Sequence, residues 1–217
     1  MRLVLFDCDG TLVDSARLIH EVMARTFVEF GFMRPDISET KAIIGLTLDV
    51  AIARMQGKAE VDAEARAMMM HYKSIYGTVR SEAGFQEALF EGIAGVIDNL
   101  ARRDELLIGA VTGKSRRGLD LMLDAHGFRP HFIVSRTADD CPSKPHPAMV
   151  TECCHETGTD IHDTIVIGDA IYDMMMAKAA GARAIGVSWG YASVEALGAA
   201  GADAIAHHPT DLLAHIV

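Results

Sequence analysis

Five short apolar runs constrain this chain more than any other feature: Leu3–Phe6, Leu106–Val111, His131–Val134, Thr164–Ile167 and Arg183–Val187. Each is too short for a helix and continuous enough to be a strand covered on both faces. Between them, apolar residues recur at helical spacing. The sets are Ile93, Val96, Ile97 and Leu100, then Leu119, Met122 and Leu123, then Met149, Val150 and Cys153, and finally Met174 to Ala180. Strand alternating with helix predicts an α/β fold: a Rossmann-like, doubly wound, mostly parallel sheet with helices on both faces.

Residues 15–88 break that rhythm. Leu18, Val22, Met23, Phe27 and Phe30 fall at helical spacing, as do Val61, Ala65, Met68, Met69, Tyr72, Ile75 and Val79, and no buried strand reads among them. The expected organisation is therefore an α/β core of residues 1–14 and 89–217, with a smaller all-α domain, residues 15–88, inserted after the first strand. The Met68–Met70 triplet fits core filling better than an adaptable binding surface, because the helical period already accounts for it.

Composition narrows the partners. At roughly 150 residues per domain, 217 residues give one to two domains, large enough to bury a core without a disulfide or metal staple. Thirty acids against twenty lysines and arginines leave a formal net charge of −10. Nucleic acid and anionic membrane surfaces both need a broad basic patch, so neither is expected as a partner. A small anion met by a few local cations stays open. The apolar runs fall well short of the ~20 residues of a membrane span. Asp7 interrupts the opening apolar segment before it reaches the length of a signal-peptide core. Cys8, Cys141 and the adjacent Cys153 and Cys154 suit neither a disulfide framework nor metal-ligand spacing. A cytoplasmic protein with reduced thiols is the expectation.

Four polar constellations sit where these strands end. Asp7-Cys8-Asp9-Gly10-Thr11-Leu12 follows the first. Residues two apart on an extended chain point the same way, so Asp7 and Asp9 can address one site while Gly10 turns the chain away. Two carboxylates this close call for a cation, a shared proton or catalytic use; alternatively the segment is a polar turn capping the next helix. Thr112-Gly113-Lys114-Ser115 follows the second strand. It reads either as a hydroxyl and amides cradling an anion at a helix N-terminus, or as an ordinary N-cap by Ser115. In Ser143-Lys144-Pro145-His146-Pro147, a lysine is held on a stiff turn ahead of a helix, reaching inward to an anion or outward to solvent. Gly168-Asp169-Ala170-Ile171-Tyr172-Asp173 carries two acids four apart, which either complement the helix dipole or hold a hard cation.

Coulomb arithmetic explains why these groups belong together. A phosphate dianion ~4 Å from one carboxylate is repelled by about 8 kcal/mol at an effective dielectric near 20. Attack on phosphate by an aspartate therefore needs cations, and a metal ion plus Lys144 would supply them. All four constellations also fall at strand carboxyl ends, where open α/β sheets bind ligands.

With these motifs in their order and at these strand ends, the whole chain resembles the haloacid dehalogenase superfamily. Within it, the similarity is to the phosphoglycolate phosphatase-like branch, whose helical cap is inserted after the first motif. The resemblance implies an Mg2+-dependent phosphatase acting on a small phosphorylated metabolite. Asp7 would be the nucleophile and Asp9 the general acid and base. Thr112, Gly113 and Lys144 would bind phosphate, with Lys144 also neutralising Asp7. Mg2+ would be held by Asp7, Asp169 and the backbone carbonyl of Asp9, and Asp173 would orient Lys144 or a metal-bound water. The cap connections are expected near Val13–Ser15 and Gly84–Gly92. Ile44-Gly45-Leu46 resembles the cap loop that approaches the site, and Arg17, Arg54 and Arg80 are candidates to grip a substrate carboxylate. Trp189-Gly190-Tyr191 is expected to pack at the rim. Asp9 argues against carbon–halogen chemistry, whose enzymes lack the second acid. A sugar phosphomutase shares all four motifs and stays open. A phospho-aspartate signalling module would not carry the helical insertion. Substrate identity and oligomeric state are not written in these motifs.

Overall fold

The computed structural model describes residues 1–85 and 87–216. Six parallel strands form one sheet in the order β5-β4-β1-β6-β7-β8. They are β1 (Arg2–Phe6), β4 (Leu106–Val111), β5 (Phe132–Arg136), β6 (Thr164–Gly168), β7 (Arg183–Val187) and β8 (Ala204–Ala206). Side-chain alternation divides the core. Val4, Phe6, Ile108, Ile165 and Ile167 point to one face, packed by α5 (Ile93–Leu100), α6 (Arg116–Ala125) and α10 (Leu212–Ile216). Leu3, Leu5, Val111, Val134 and Val166 point to the other, packed by α7 (Ala148–Thr157), α8 (Ile171–Ala180) and α9 (Val194–Ala199). Because both faces are covered, β6 is buried along its whole length, and its sequence reads as an unbroken apolar run.

The expected α/β architecture is the observed one, with differences at the sheet margins. The strand expected at His131–Val134 runs instead from Phe132 to Arg136. At the sheet edge its outer positions face solvent, so Ser135 and Arg136 belong to the ladder although they are not apolar. The opposite edge strand, β8, was not expected from the sequence, because an Ala-Ile-Ala segment carries too little apolar signal.

Between residues 15 and 88 the described residues form four helices: α1 (Ala16–Glu29), α2 (Ile37–Lys41), α3 (Leu48–Met55) and α4 (Ala63–Ser81). They share a hydrophobic cluster of their own, built around Val22, Met23, Ile52, Met68 and Tyr72. Met68 is buried in it, whereas Met70 is 63% exposed, so only part of the methionine triplet fills the core. The segment is entered through β2 (Val13–Asp14) and left through β3 (Ala88–Leu89), and these two short strands pair antiparallel. Cys8, Cys141, Cys153 and Cys154 are all free and buried.

The strand order reverses at β1. The chain builds β4 and β5 on one side of it, then returns to build β6, β7 and β8 on the other. The crevice beyond the carboxyl end of β1 is therefore the switch point at which a doubly wound sheet binds its ligand.

Candidate active site

Asp7 emerges at that switch point, its amide still bonded to the Ile167 carbonyl of β6 at 2.9 Å. Lys144 arrives from the loop ahead of α7 and donates to both Asp7 Oδ1 and Asp173 Oδ1, each at 2.6 Å. All three side chains are almost completely inaccessible. Burial alone would lower the Lys144 ammonium, but the carboxylates of Asp173 and Asp7 outweigh it and hold it above its ordinary value. Burial likewise pushes the Asp7 carboxyl up to about 7 against the pull of Lys144, with Asp173 adding to the rise.

Asp169 completes the cluster. Its Oδ1 accepts from the Thr11 hydroxyl at 3.0 Å and its Oδ2 from the Tyr191 amide at 2.9 Å. Burial, then Asp7 and Asp173, hold this carboxyl well above the usual range. Gly10 makes the approach of the first loop to Asp169 possible. Its φ is +89°, and a Cβ there would lie 2.2 Å from Asp169 Oδ2. Asp173, on the first turn of α8, accepts the Ala170 amide on Oδ2 at 3.0 Å, so it caps its helix as well as holding Lys144.

Whether this cluster suits a cation can be judged from its donors. Asp7, Asp169 and Asp173 each present a carboxylate oxygen within 4.8 Å of the others. Asp7 Oδ2 is buried and takes no hydrogen bond from the described residues. An all-oxygen, anionic, dry set with an orphaned oxygen fits a hard divalent ion of the Mg2+ type.

Asp9 lies apart from this cluster. Its Oδ1 accepts from the Ser15 hydroxyl at 2.5 Å and is 2.7 Å from Lys114 Nζ. Two residues along the same strand end, the paired acids thus occupy different surroundings. Thr112 follows β4, the neighbour of β1, and is buried. Its hydroxyl accepts the Lys114 amide at 3.2 Å. Ser115 caps α6 by accepting the Gly118 amide at 3.2 Å, and Asp139 accepts the Arg116 amide at 2.7 Å. The Arg116 and Gly118 amides of that helix are therefore committed.

The helical segment meets the site at its Gly45-Leu46-Thr47 loop. The Thr47 amide donates to Ser143 Oγ at 2.9 Å, beside Lys144. The loop lies so close that a Cβ on Gly113 would sit 2.6 Å from the Leu46 carbonyl oxygen. A cavity of ≈ 340 Å³ opens between segment and core, bordered by Lys41, Ile44, Asp169, Tyr172 and Tyr191.

Of the arginines considered for substrate binding, Arg54 stacks 5.3 Å from the Tyr172 ring centroid and donates to its hydroxyl at 3.2 Å. Arg80 Nε lies 3.3 Å from Glu87 Oε2, and Arg17 is exposed. The packing role expected of Trp189-Gly190-Tyr191 is only part of its work. Trp189 Nε1 donates to the Thr11 carbonyl at 3.1 Å, and the Tyr191 hydroxyl accepts the Ser15 and Ala16 amides, each at 3.0 Å. With the Tyr191 amide on Asp169, this turn ties the loop after β1 to the acid cluster. The sequence assigns no role to Lys114, Ser15 or Glu87. The one signal available was the lysine adjoining Thr112-Gly113.

The chain belongs to the haloacid dehalogenase-like hydrolase family, whose model matches residues 4–187. It is 31% identical over 220 residues to the phosphoglycolate phosphatase of Yersinia pseudotuberculosis, covering 98% of this chain and 92% of that protein. It is 29% identical over 214 residues to the pyrophosphatase PpaX of Bacillus pumilus, covering 97% and 94%. In fold it is similar to a hydrolase from Pseudomonas syringae, with a TM-score of 0.85 and 23% identity over 100% of this chain and 98% of that one. Among the described residues, no helix is long and apolar enough to cross a membrane.

Proposed function

We propose that this phosphomonoester hydrolase cleaves a small phosphorylated metabolite, phosphoglycolate-like in class, through an aspartyl-phosphate on Asp7. One observation carries the reading: the two acids after β1 are held for different tasks. Asp7 is dry, paired with Lys144 on Oδ1 and bare on Oδ2. Asp9 is fixed on Oδ1 by Ser15 and Lys114. That division suits a nucleophile and an acid–base group.

In the reaction, an oxygen of the Asp7 carboxylate forms the bond to phosphorus as the ester P–O bond breaks, and Asp9 gives its proton to the departing alcohol. Asp9 then takes a proton from water, whose oxygen attacks the aspartyl-phosphate, and the Asp7 carboxylate leaves with its electron pair. Lys144 offsets the charge gathered on Asp7 and the phosphate, while Thr112 and Gly113 donate to the phosphate oxygens. Asp7, Asp169, Asp173 and the Asp9 carbonyl would hold Mg2+, which when bound supplies Lewis-acid neutralisation of the phosphate charge. Residues 15–88 act as a cap that covers the site and sets the substrate. The relative named a phosphoglycolate phosphatase and a cavity of ≈ 340 Å³ support a small substrate.

The test is phosphate release from a panel of phosphorylated two- to six-carbon metabolites, with Mg2+ and with a chelator. Asp7→Asn is expected to lower turnover by about 10³-fold or more while the circular dichroism and melting curve stay native. Retained turnover in that variant would remove Asp7 as nucleophile. Phosphate moved between hydroxyls of a sugar without release would instead favour a mutase.

A further inference from the structure

Lys114 is a buried cation to which the reaction above gives no task. Its Nζ lies 2.7 Å from Asp9 Oδ1 and 2.7 Å from Glu87 Oε1, and the three side chains are only 8%, 11% and 6% exposed. Burial alone would lower the Lys114 ammonium, but Asp9, Tyr76 and Glu87 hold it well above its ordinary value. A cation here is therefore a fixed charge.

The positions of its partners give the arrangement meaning. Glu87 immediately precedes β3, the connector by which the helical segment returns to the sheet. It is gripped from α4 of that segment: the Tyr76 hydroxyl donates to Oε1 at 3.4 Å, and Arg80 Nε lies 3.3 Å from Oε2. Ser15, the second donor to Asp9 Oδ1, immediately follows β2, the outgoing connector. Both connectors thus converge on one oxygen of Asp9, directly through Ser15 and through Glu87 and Lys114.

We infer that Lys114 is a positioning residue for Asp9, set in place by Glu87, so that the orientation of the acid–base carboxylate depends on the connectors of the helical cap. With Oδ1 held from two sides, the carboxyl plane is fixed and Oδ2 is offered to the leaving oxygen in one orientation. Proton transfer is the step that feels this, since it requires Asp9 within hydrogen-bond reach of the departing group. The inference rests on Asp9 being the acid–base group of the proposed reaction.

Leaving-group chemistry tests it. Phosphoenzyme formation is followed in single turnover with Mg2+, using 2-phosphoglycolate, whose alkoxide must be protonated, and p-nitrophenyl phosphate, whose phenolate leaves without a proton. Lys114→Met is expected to slow the first substrate about 100-fold and the second by less than about fivefold, with half-saturating concentrations within about threefold of wild type. Lys114→Arg, which can bond both acids, restores about tenfold of the loss, and Glu87→Gln shows the same selective loss at about tenfold. An equal loss on both substrates, or wild-type rates in both Lys114→Met and Glu87→Gln, overturns the inference. If melting shows Lys114→Met to be unfolded, Glu87→Gln decides alone, because it preserves shape and leaves Lys114 one partner there. Absence of turnover by the wild type on either substrate, or activity in Asp7→Asn, would overturn the underlying phosphatase reading instead.

Discussion

The sheet core and the helical segment are built on different terms. In the core, apolar side chains cover both faces of the sheet, and the charged groups of the site stand at strand ends whose positions the sheet dictates. The segment has a cluster of its own, against which Tyr172 of α8 packs, and it also meets the core through polar contacts. Among them are Thr47 on Ser143, the Tyr172 hydroxyl on the Ala42 carbonyl at 3.2 Å, Arg54 on the Tyr172 hydroxyl, and Lys114 on Glu87. In the proposed reaction the sheet core carries the reacting groups and the helical segment the cover. The exposed ones among these contacts cost little to break, as the proposed role of the segment as a cover requires.

The comparison is broken most severely by emptying the core. Phe6→Ala, beneath the Asp7 loop, is expected to cost about 3–5 kcal/mol in equilibrium unfolding and to lose the site with the fold. Met68→Ala, inside the helical cluster, is expected to cost about 2–5 kcal/mol. If the two regions melt separately, the second variant shifts one transition and leaves the other. A single transition shifted by both would show that the halves unfold as a unit.

Removal of the cation comes next. Mg2+ at about 100 times its dissociation constant should stabilise the protein by about 2.7 kcal/mol. Asp7 is raised by burial to about 7, above its ordinary carboxylate value. The sign follows: between the unfolded and folded values the ion-free folded state keeps a proton that the unfolded chain has lost, so ion-free stability falls as pH rises through that window. If Mg2+ binds through Asp7 as proposed, it must displace that proton, and its binding should weaken about tenfold per pH unit below 7. Melting with and without Mg2+ at about pH 5.5 and about pH 8 checks this through Asp7. Equal increments at the two pH values would break the link between Asp7 and the ion.

The smallest effect is expected at the contact between the two regions. Ser143→Ala removes the acceptor of the Thr47 amide and should cost about 1 kcal/mol or less in stability. If cover closure includes this contact, the variant raises KM about three- to fivefold with kcat nearly unchanged. A fall in kcat alone would place Ser143 with Lys144 rather than with the cover.

Much of this was legible along the chain, and the reason is local. Asp7, Thr112 and Asp169 each follow an apolar run directly, so their strands could be read and their place at a sheet end followed. Lys144 was legible from its prolines, which restrict the backbone around it whatever the fold. The edge strands were not: an exposed edge needs neither continuous apolarity nor a strict alternation, as Ser135, Arg136 and the Ala-Ile-Ala of β8 illustrate. Lys114 was visible as a residue but not as a cation with a task, because Glu87 lies 27 positions away and joins it only after the helical segment has folded back.

The sequence by itself determined the inner strands, the residues at their carboxyl ends and the helical stretch after the first strand. Periodicity and backbone restriction act over a few residues, and those features need nothing more. The tertiary structure decided which acid meets which cation. Asp7 and Asp9 are separated by one residue, yet one faces Lys144 and the other Lys114, because the cations come from loops after different strands. Electrostatic partnership depends on distance through space in a dry interior, and the linear order of residues does not contain that distance.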